Sequence, residues 1–356
     1  MSKVKDERNV QQDILKIMDA LGLETKANEA MSSAQAGFGD EWVPTEMADS
    51  IIENARAEEG LFSLIPSSQN IDMPTNPYDL PVESTDPTWY NTAEEPDVTG
   101  TDVTTSKVAT AKITLSAAKF SASVYLSGEL DEDAKVAGGI RAHVEQKLGL
   151  AYAELIDKAI INGDTETGAT GNVNSDDGAP TAGTYYLGFD GLTKHAFAGT
   201  SMTDDVGTLA AADFMTVRQN LAARYSTNPS KLLVVMNPET YYKTLQLAQV
   251  ETAEKFSAAT IENGVLKSIY GMRIHVAPDF GLAEADGKQS TTGANNTLGR
   301  FMIVYLPALV VGWRRKMKIN LEYLPRVDQY VLTAHSRFTA DMVRDDMVSL
   351  GYNVTV

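Results

Sequence analysis

Residues 127–164, SGELDEDAKVAGGIRAHVEQKLGLAYAELIDKAIINGD, constrain this chain more than any other stretch, because they read as one long helix with a weakened start. Ile140, Val144, Leu148, Ala151, Leu155 and Ala159 recur at three- and four-residue steps and so share one apolar face. Arg141, Glu145, Lys147, Glu154 and Lys158 fill the opposite side, with Glu154 one turn before Lys158. Ser127 is placed as an N-cap, and Glu129, Asp131 and Glu132 put negative charge where a helix dipole is positive. Each glycine of Gly138-Gly139 costs about 1 kcal/mol against alanine, which predicts a break there and a helix of about 22 residues after it. Asn162-Gly163 predicts a left-handed stop. A rod of that length runs along a whole side of a domain.

The 356 residues carry a net charge of −18, which excludes a protein whose main work is neutralising phosphates. Cysteine is absent, so disulfides and thiolate metal sites are excluded as well. The N-terminus has no uninterrupted apolar segment of signal-peptide type, and the run from Phe301 to Gly312 is too short for a membrane span. A soluble intracellular product is expected. Ile14, Ile17, Met18 and Leu21 suggest a short amphipathic helix, followed by a flexible link over residues 32–40 and a second short helix after Thr45.

From Pro66 to Ser106 the chain is rich in proline and acids and holds no Lys or Arg. Prolines exclude a helix there, and the flanks, Ile71 to Val82 and Thr101 to Tyr125, read as strands. An extended hairpin with an acidic tip follows, too thin to be stable without something to lie on. Beyond the long helix, residues 165–183 form a polar loop whose Asn172, Asn174 and Asp176 imitate the start of a calcium loop. The sixth position is Asp177 and the twelfth Gly183, where such a loop needs glycine and glutamate, so a solvated loop is favoured. Asp213 to Tyr225 and Asn237 to Leu247 read as helices; Lys231 to Met236, Gly271 to Ala277 and Arg300 to Val311 read as strands. That alternation predicts a second domain around a central sheet, and the strands after Trp313 are expected to return to the first.

Chemistry is mostly missing. No phosphate loop, dinucleotide fingerprint, nucleophile elbow or zinc motif is present, and His143, His195, His275 and His335 each stand alone in sequence. No catalytic residue, cofactor or metal is assigned. Arg314, Arg315, Lys316 and Lys318 are the one positive concentration in an acidic chain, better suited to an acidic surface on another copy than to nucleic acid.

In order, these pieces resemble the HK97-type major capsid proteins of tailed bacteriophages. Trp42-Val43-Pro44-Thr45-Glu46 with Ile51-Ile52-Glu53 resembles the start of the N-terminal arm. Pro87-x-Trp89-Tyr90 and Ala93-Glu94-Glu95 fall where the extended loop carries aromatic and acidic positions. Leu126-Ser127-Gly128-Glu129-Leu130 through Asn162-Gly163-Asp164, then Gly188-Phe189-Asp190-Gly191-Leu192, resembles the spine helix and its exit. His335-Ser336-Arg337-Phe338 through Val343-Arg344-Asp345-Asp346-Met347-Val348 resembles the terminal strand pattern.

The resemblance implies an α+β fold with an N-terminal segment (1–40), N-arm (41–65), extended loop (66–119), peripheral domain with spine helix (120–184), axial domain (185–312) and a return to the peripheral domain (313–356). It implies a non-enzymatic virion protein, assembled in the host cytoplasm, forming hexamers and pentamers of an icosahedral shell that encloses DNA without binding it specifically. Scaffolding, portal and decoration proteins are implied partners; no membrane is. Trp89, Tyr90, Glu94, Glu95, Asp97, Arg314, Arg315, Lys316 and Lys318 are the inter-subunit contacts it suggests. Some members join a loop lysine to a neighbour's asparagine, for which this loop has no lysine before Lys107. The competing readings are an encapsulin-like compartment shell and, from a different class, a carboxylate-dependent enzyme or a calcium-binding surface protein.

Overall fold

The computed structural model describes residues 60–91, 106–133, 139–247, 250, 261–262 and 265–356. The expected N-terminal helix and most of the N-arm lie outside them. In chain order the helices are α1 (Leu61–Leu64), α2 (Gly128–Asp133), α3 (Ile140–Asn162), α4 (Leu192–Ala198), α5 (Asp213–Asn220), α6 (Ala223–Ser226) and α7 (Pro238–Leu245). The strands are β1 (Asn70–Asp72), β2 (Tyr78–Thr85), β3 (Ala109–Leu115), β4 (Ala118–Ser127), β5 (Thr203–Asp205), β6 (Leu232–Met236), β7 (Ile261–Glu262), β8 (Val265–Leu266), β9 (Ser268–Ile269), β10 (Met272–Val276), β11 (Leu298–Tyr305), β12 (Leu309–Leu324), β13 (Gln329–Met342) and β14 (Val348–Thr355).

Two sheets organise them. One has the order β1-β12-β13-β4, the other β5-β14-β11-β6-β10-β9, and β2 with β3 forms a separate hairpin. β6 has polar neighbours only beyond its ends, and all five of its residues are buried. Leu233 and Val235 face the principal core while Leu232, Val234 and Met236 face a second core with Phe214, Val217 and Phe301, as a strand covered on both sides requires.

The break predicted at the glycine pair is present: α2 ends at Asp133, α3 begins at Ile140, and Gly139 between them has φ +87°. Ser127 Oγ accepts from the Leu130 N–H at 3.1 Å, as a cap should, but for the short α2 rather than the long helix. At 23 residues α3 is about 34 Å long. Its burial is not the simple stripe that periodicity suggests. Leu148 is covered by Leu126, Leu332 and Ala334, yet Ala151 is exposed and Leu155 only half-buried. Near the C-terminal end, Ile156, Ala159, Ile160 and Ile161 are all buried, because there the helix enters the core shared by both sheets. α1 is tied to it by Asp157, whose Oδ1 accepts from the Phe62 N–H at 2.8 Å.

Four expectations change. Gly163 has φ −55°, so α3 does not end in a left-handed turn; the chain instead leaves extended, with Gly163 O accepting from the Gly191 N–H at 2.8 Å. The first hairpin strand is split, since β1 leaves to pair in parallel with Val311–Trp313 and only β2 pairs with β3. The helix expected over Asp213–Tyr225 breaks at Leu221, whose side chain is buried while its backbone turns extended. Finally, residues 313–356 do not all return to the first sheet: β14, with Val348, Leu350 and Val354 buried, pairs with β11 in the second.

The crossing of Gly163 and Gly191 is a steric requirement. A Cβ on Gly191 would stand 2.6 Å from both Gly163 N and Ile160 O, and backbone has nowhere to move. Gly191→Ala is expected to destabilise the subunit by about 3 kcal/mol in chemical denaturation; an unchanged midpoint would show that this crossing tolerates a side chain.

Candidate inter-subunit surfaces

The hairpin is held at its root and bare beyond it. Leu115 packs with Met73, Ala117 and Val310, but four of the seven β3 residues in succession, Ala109–Lys112, are exposed. Lys112 Nζ bonds Asp79 Oδ2 at 2.8 Å across the strands. Farther out, an exposed pair of Arg224 with Asp86 at 2.8 Å meets the body, an interaction worth about 0–1 kcal/mol. Past it the two legs are clamped by Ser106, whose Oγ accepts from the Thr88 N–H at 3.0 Å and donates to Thr88 O at 3.2 Å. Trp89 follows, 95% exposed, with Tyr90 at 47%. Glu94, Glu95 and Asp97 lie outside the described residues.

The basic run disperses on folding. Arg314, Arg315, Lys316 and Lys318 are all exposed on β12. Arg314 donates to Met73 O at 3.1 Å, while Arg315 stands opposite Arg337 on β13, which stands opposite Lys119 on β4. Lys318 faces His335 in the same way. A cationic row therefore crosses three strands, and among the described residues none of Lys119, Arg315, Arg337 and Lys318 has an ion-pair partner. Like charges directly opposite one another destabilise a sheet, so this row is a feature the lone subunit does not benefit from. Sequence spacing could not reveal it, because Lys119 and Arg337 are brought in by register.

Between α3, the edge of β4 and the turn at residues 183–188 lies a groove of about 710 Å³. Leu148, Ala151 and Leu155 form one wall, with Phe120, Leu187 and Met317 opposite. The helix face that periodicity assigns to the core is the face that lines it.

The calcium-like loop is packed rather than solvated: Asn172 is fully buried and donates to Asp164 O and Glu166 O, and Asp176 pairs with Lys288 at 2.7 Å. Serine, threonine and backbone donors from Ser290 and Thr291 hold the Asp177 carboxyl at about 2. These side chains are engaged in joining two loops. His195, expected alone in a loop, instead lies on α4 between two carboxylates. Its Nδ1 is 2.7 Å from Asp345 Oδ1, and its Nε2 is 3.2 Å from Asp341 Oδ1, close enough for an ion pair though not aligned as a hydrogen bond. His143 is on α3, His275 is buried in β10 and His335 is on β13. Among the described residues no helix is long and apolar enough to cross a membrane.

The model of the phage capsid family matches residues 39–294, well over half of the chain. The chain belongs to that family. Its fold is the HK97 type, and its role is that of a major capsid protein, a structural subunit of the shell. Among solved structures, a chain of Microbacterium phage Oxtober96 superposes with a TM-score of 0.64 at 14% identity, covering 90% of this chain and 99% of that one. The capsid of the native GTA particle gives 0.63 at 15% identity, covering 91% and 100%. Gordonia phage Cozz gives 0.61 at 15%, covering 94% and 98%. No curated protein matches.

In this capsid protein His195 joins the two sheets, since Asp341 is the penultimate residue of β13 and Asp345 precedes β14. Burial pushes its pKa down, but the bonds and charges of Asp341 and Asp345 outweigh that and raise it from 6.5 to about 9. A raised histidine pKa contributes stability that is complete below 6.5 and lost as pH rises through about 9. The melting temperature of the subunit is therefore expected to fall more steeply between pH 6.5 and 9 than that of His195→Gln; parallel curves would show that the ion pairs contribute nothing.

Proposed function

We propose that copies of this chain assemble as hexamers and pentamers into an icosahedral shell around double-stranded DNA, with residues 120–184 and 313–342 as a peripheral domain and 185–312 as an axial domain. The observation that carries the reading beyond family membership is the hairpin: a two-stranded ribbon with four exposed β3 residues and an exposed tryptophan, which among the described residues meets its own subunit at its root and through one exposed ion pair. Lying on a neighbour gives it a floor. The acidic tip, with Glu94, Glu95 and Asp97, has its complement in Arg315, Lys316 and Lys318 of the neighbouring copy, extended by Lys119 and Arg337. A net charge of −18 suits a wall to which packaged DNA should not adhere. Scaffolding, portal and decoration proteins act as partners, assembly takes place in the host cytoplasm, and the chain performs no catalysis.

The shell is held without covalent links between subunits. Lysine is absent from Pro66 to Ser106, and Lys112 is already paired with Asp79. Electron microscopy of the purified protein is expected to show closed particles tens of nanometres across, with DNA inside those recovered from infected cells. Boiled in detergent, they should run as a single band near 38.5 kDa. A stable monomer sinks the shell reading, particles carrying protein cargo in place of DNA favour a compartment, and a ladder resistant to boiling refutes the absence of crosslinks.

The cationic row makes a prediction of opposite signs. Arg337→Glu places an acid between Arg315 and Lys119, so the subunit should gain about 0.5 kcal/mol of stability. Assembly, followed by light scattering, should nevertheless slow. A variant both more stable and equally fast to assemble would remove the row from the interface.

A further inference from the structure

The open edge of the first sheet carries a pattern that matches itself. We propose that residues 316–324 of β12 pair antiparallel with the same residues of a second copy, about a two-fold axis at Asn320, so that two sheets join edge to edge. The inference goes beyond the shell reading and needs only that two copies meet.

β12 is paired on its outer side only at its start, where β1 takes Val311–Trp313. The Met73 N–H donates to Trp313 O and Arg314 donates to Met73 O, which closes that pairing. From Lys316 to Leu324 no strand lies on that side among the described residues, and Pro325 begins a turn. The outward backbone N–H and C=O groups of this stretch therefore form a template for another strand.

Side chains alternate along it. Met317 and Ile319 pack against the cluster of Leu148 and Leu332 beside α3, and Leu321 and Tyr323 continue that face while remaining 49% and 46% exposed. Lys318, Asn320 and Glu322 fall on the other face, and all three are exposed. Among the described residues neither Lys318 nor Glu322 has an ion-pair partner. Turned about Asn320, the segment is complementary to itself: Ile319 meets Leu321, Met317 meets Tyr323, and Lys318 meets Glu322 once on each side of the axis. A shift of one residue sets Lys318 against Leu321 and Ile319 against Asn320, apolar against polar throughout.

That symmetry identifies the occupant as a second copy. A strand with no acid at the matching position leaves Lys318 uncompensated, which is how lysine protects an edge from other partners. The contact is also closed, because one patch meets itself and nothing is left over to recruit a third chain. It takes up Lys318 and leaves Arg315, Arg337 and Lys119 for the acidic tip.

Cysteine is absent, so single introduced thiols report the register. Asn320→Cys, at an exposed position on the axis, is assembled and oxidised; a disulfide-linked dimer on a non-reducing gel is expected from this variant alone. Lys318→Cys and Glu322→Cys should each stay monomeric on that gel and link when mixed. Lys318→Glu turns two opposite-charge pairs per contact into two like-charge pairs, and should slow assembly roughly tenfold by light scattering. Adding Glu322→Lys should restore the rate, which a contact of Lys318 with the acidic tip would not explain. Particles of Asn320→Cys without dimer overturn the pairing and leave the shell reading standing, and a thiol that resists labelling in them shows another segment on the edge. A Lys318→Glu protein that assembles at the wild-type rate overturns the pairing as well. Dimers from a protein that forms no particles overturn the shell reading alone.

Discussion

Everything in this subunit depends on the last turn of α3, Ala159 to Asn162, being buried at every position. Ile156, Ala159, Ile160 and Ile161 meet Phe189 and Leu192 from the following segment, Leu233 and Met302 from one sheet and Phe338 from the other, in one continuous core. Full burial of that kind leaves no room for a conventional helix end. The backbone must exit through a gap where Gly163 and Gly191 pass with no Cβ between them, and the polar groups near the exit must find partners inside the protein. All but Asn162 Oδ1 of those named do: Asn162 donates to Asp279 O, Asp164 accepts from the Val173 N–H and pairs with Lys194, and Asn174 donates to Asn162 O. The loop that looks like a cation site is the packing around a helix terminus.

From that anchor the two sheets acquire different freedoms. The second sheet is sandwiched, with β6 and β11 buried on both faces. The first is covered at one end by α1, the hairpin root and the shared core and along its length by α3, and among the described residues much of the far face toward residues 314–324 and of the hairpin beyond its root is exposed. β12 pairs with β1 over only three residues, so among the described residues 314–324 have no strand on that side and carry several charges. A monomer selected for its own stability would not place Arg315, Arg337 and Lys119 in one cross-strand row, expose Trp89 and leave Leu155 half covered. Those features make sense as halves of contacts completed by other copies.

How much of this was legible in the sequence follows from which distances matter. The helix break at Gly139, the buried strand at Leu232–Met236 and the turn into α7 at Asn237-Pro238 are local, and residue pattern was enough. The hairpin was visible through its prolines and missing cations, but not that β1 leaves it, since pairing with Val311–Trp313 is a contact across more than two hundred residues. His195 and its two carboxylates, and the cationic row, are likewise products of strand register and chain return. Helical period placed Ala151 and Leu155 correctly on the apolar face and could not say that the described residues leave Ala151 exposed and Leu155 half-buried.

The charge of the chain sets how such weak surfaces can still assemble. At −18 each, two subunits repel at long range, and in 0.1 M salt that repulsion is screened beyond about 10 Å. A contact between an acidic tip and a cationic row acts inside that distance, where screening is least. Each exposed pair contributes about 0–1 kcal/mol, too little to hold two subunits together. In the proposed shell every subunit would both give a hairpin and receive one, so the same small term would recur with every copy, and dissociation of one subunit would break both sets at once.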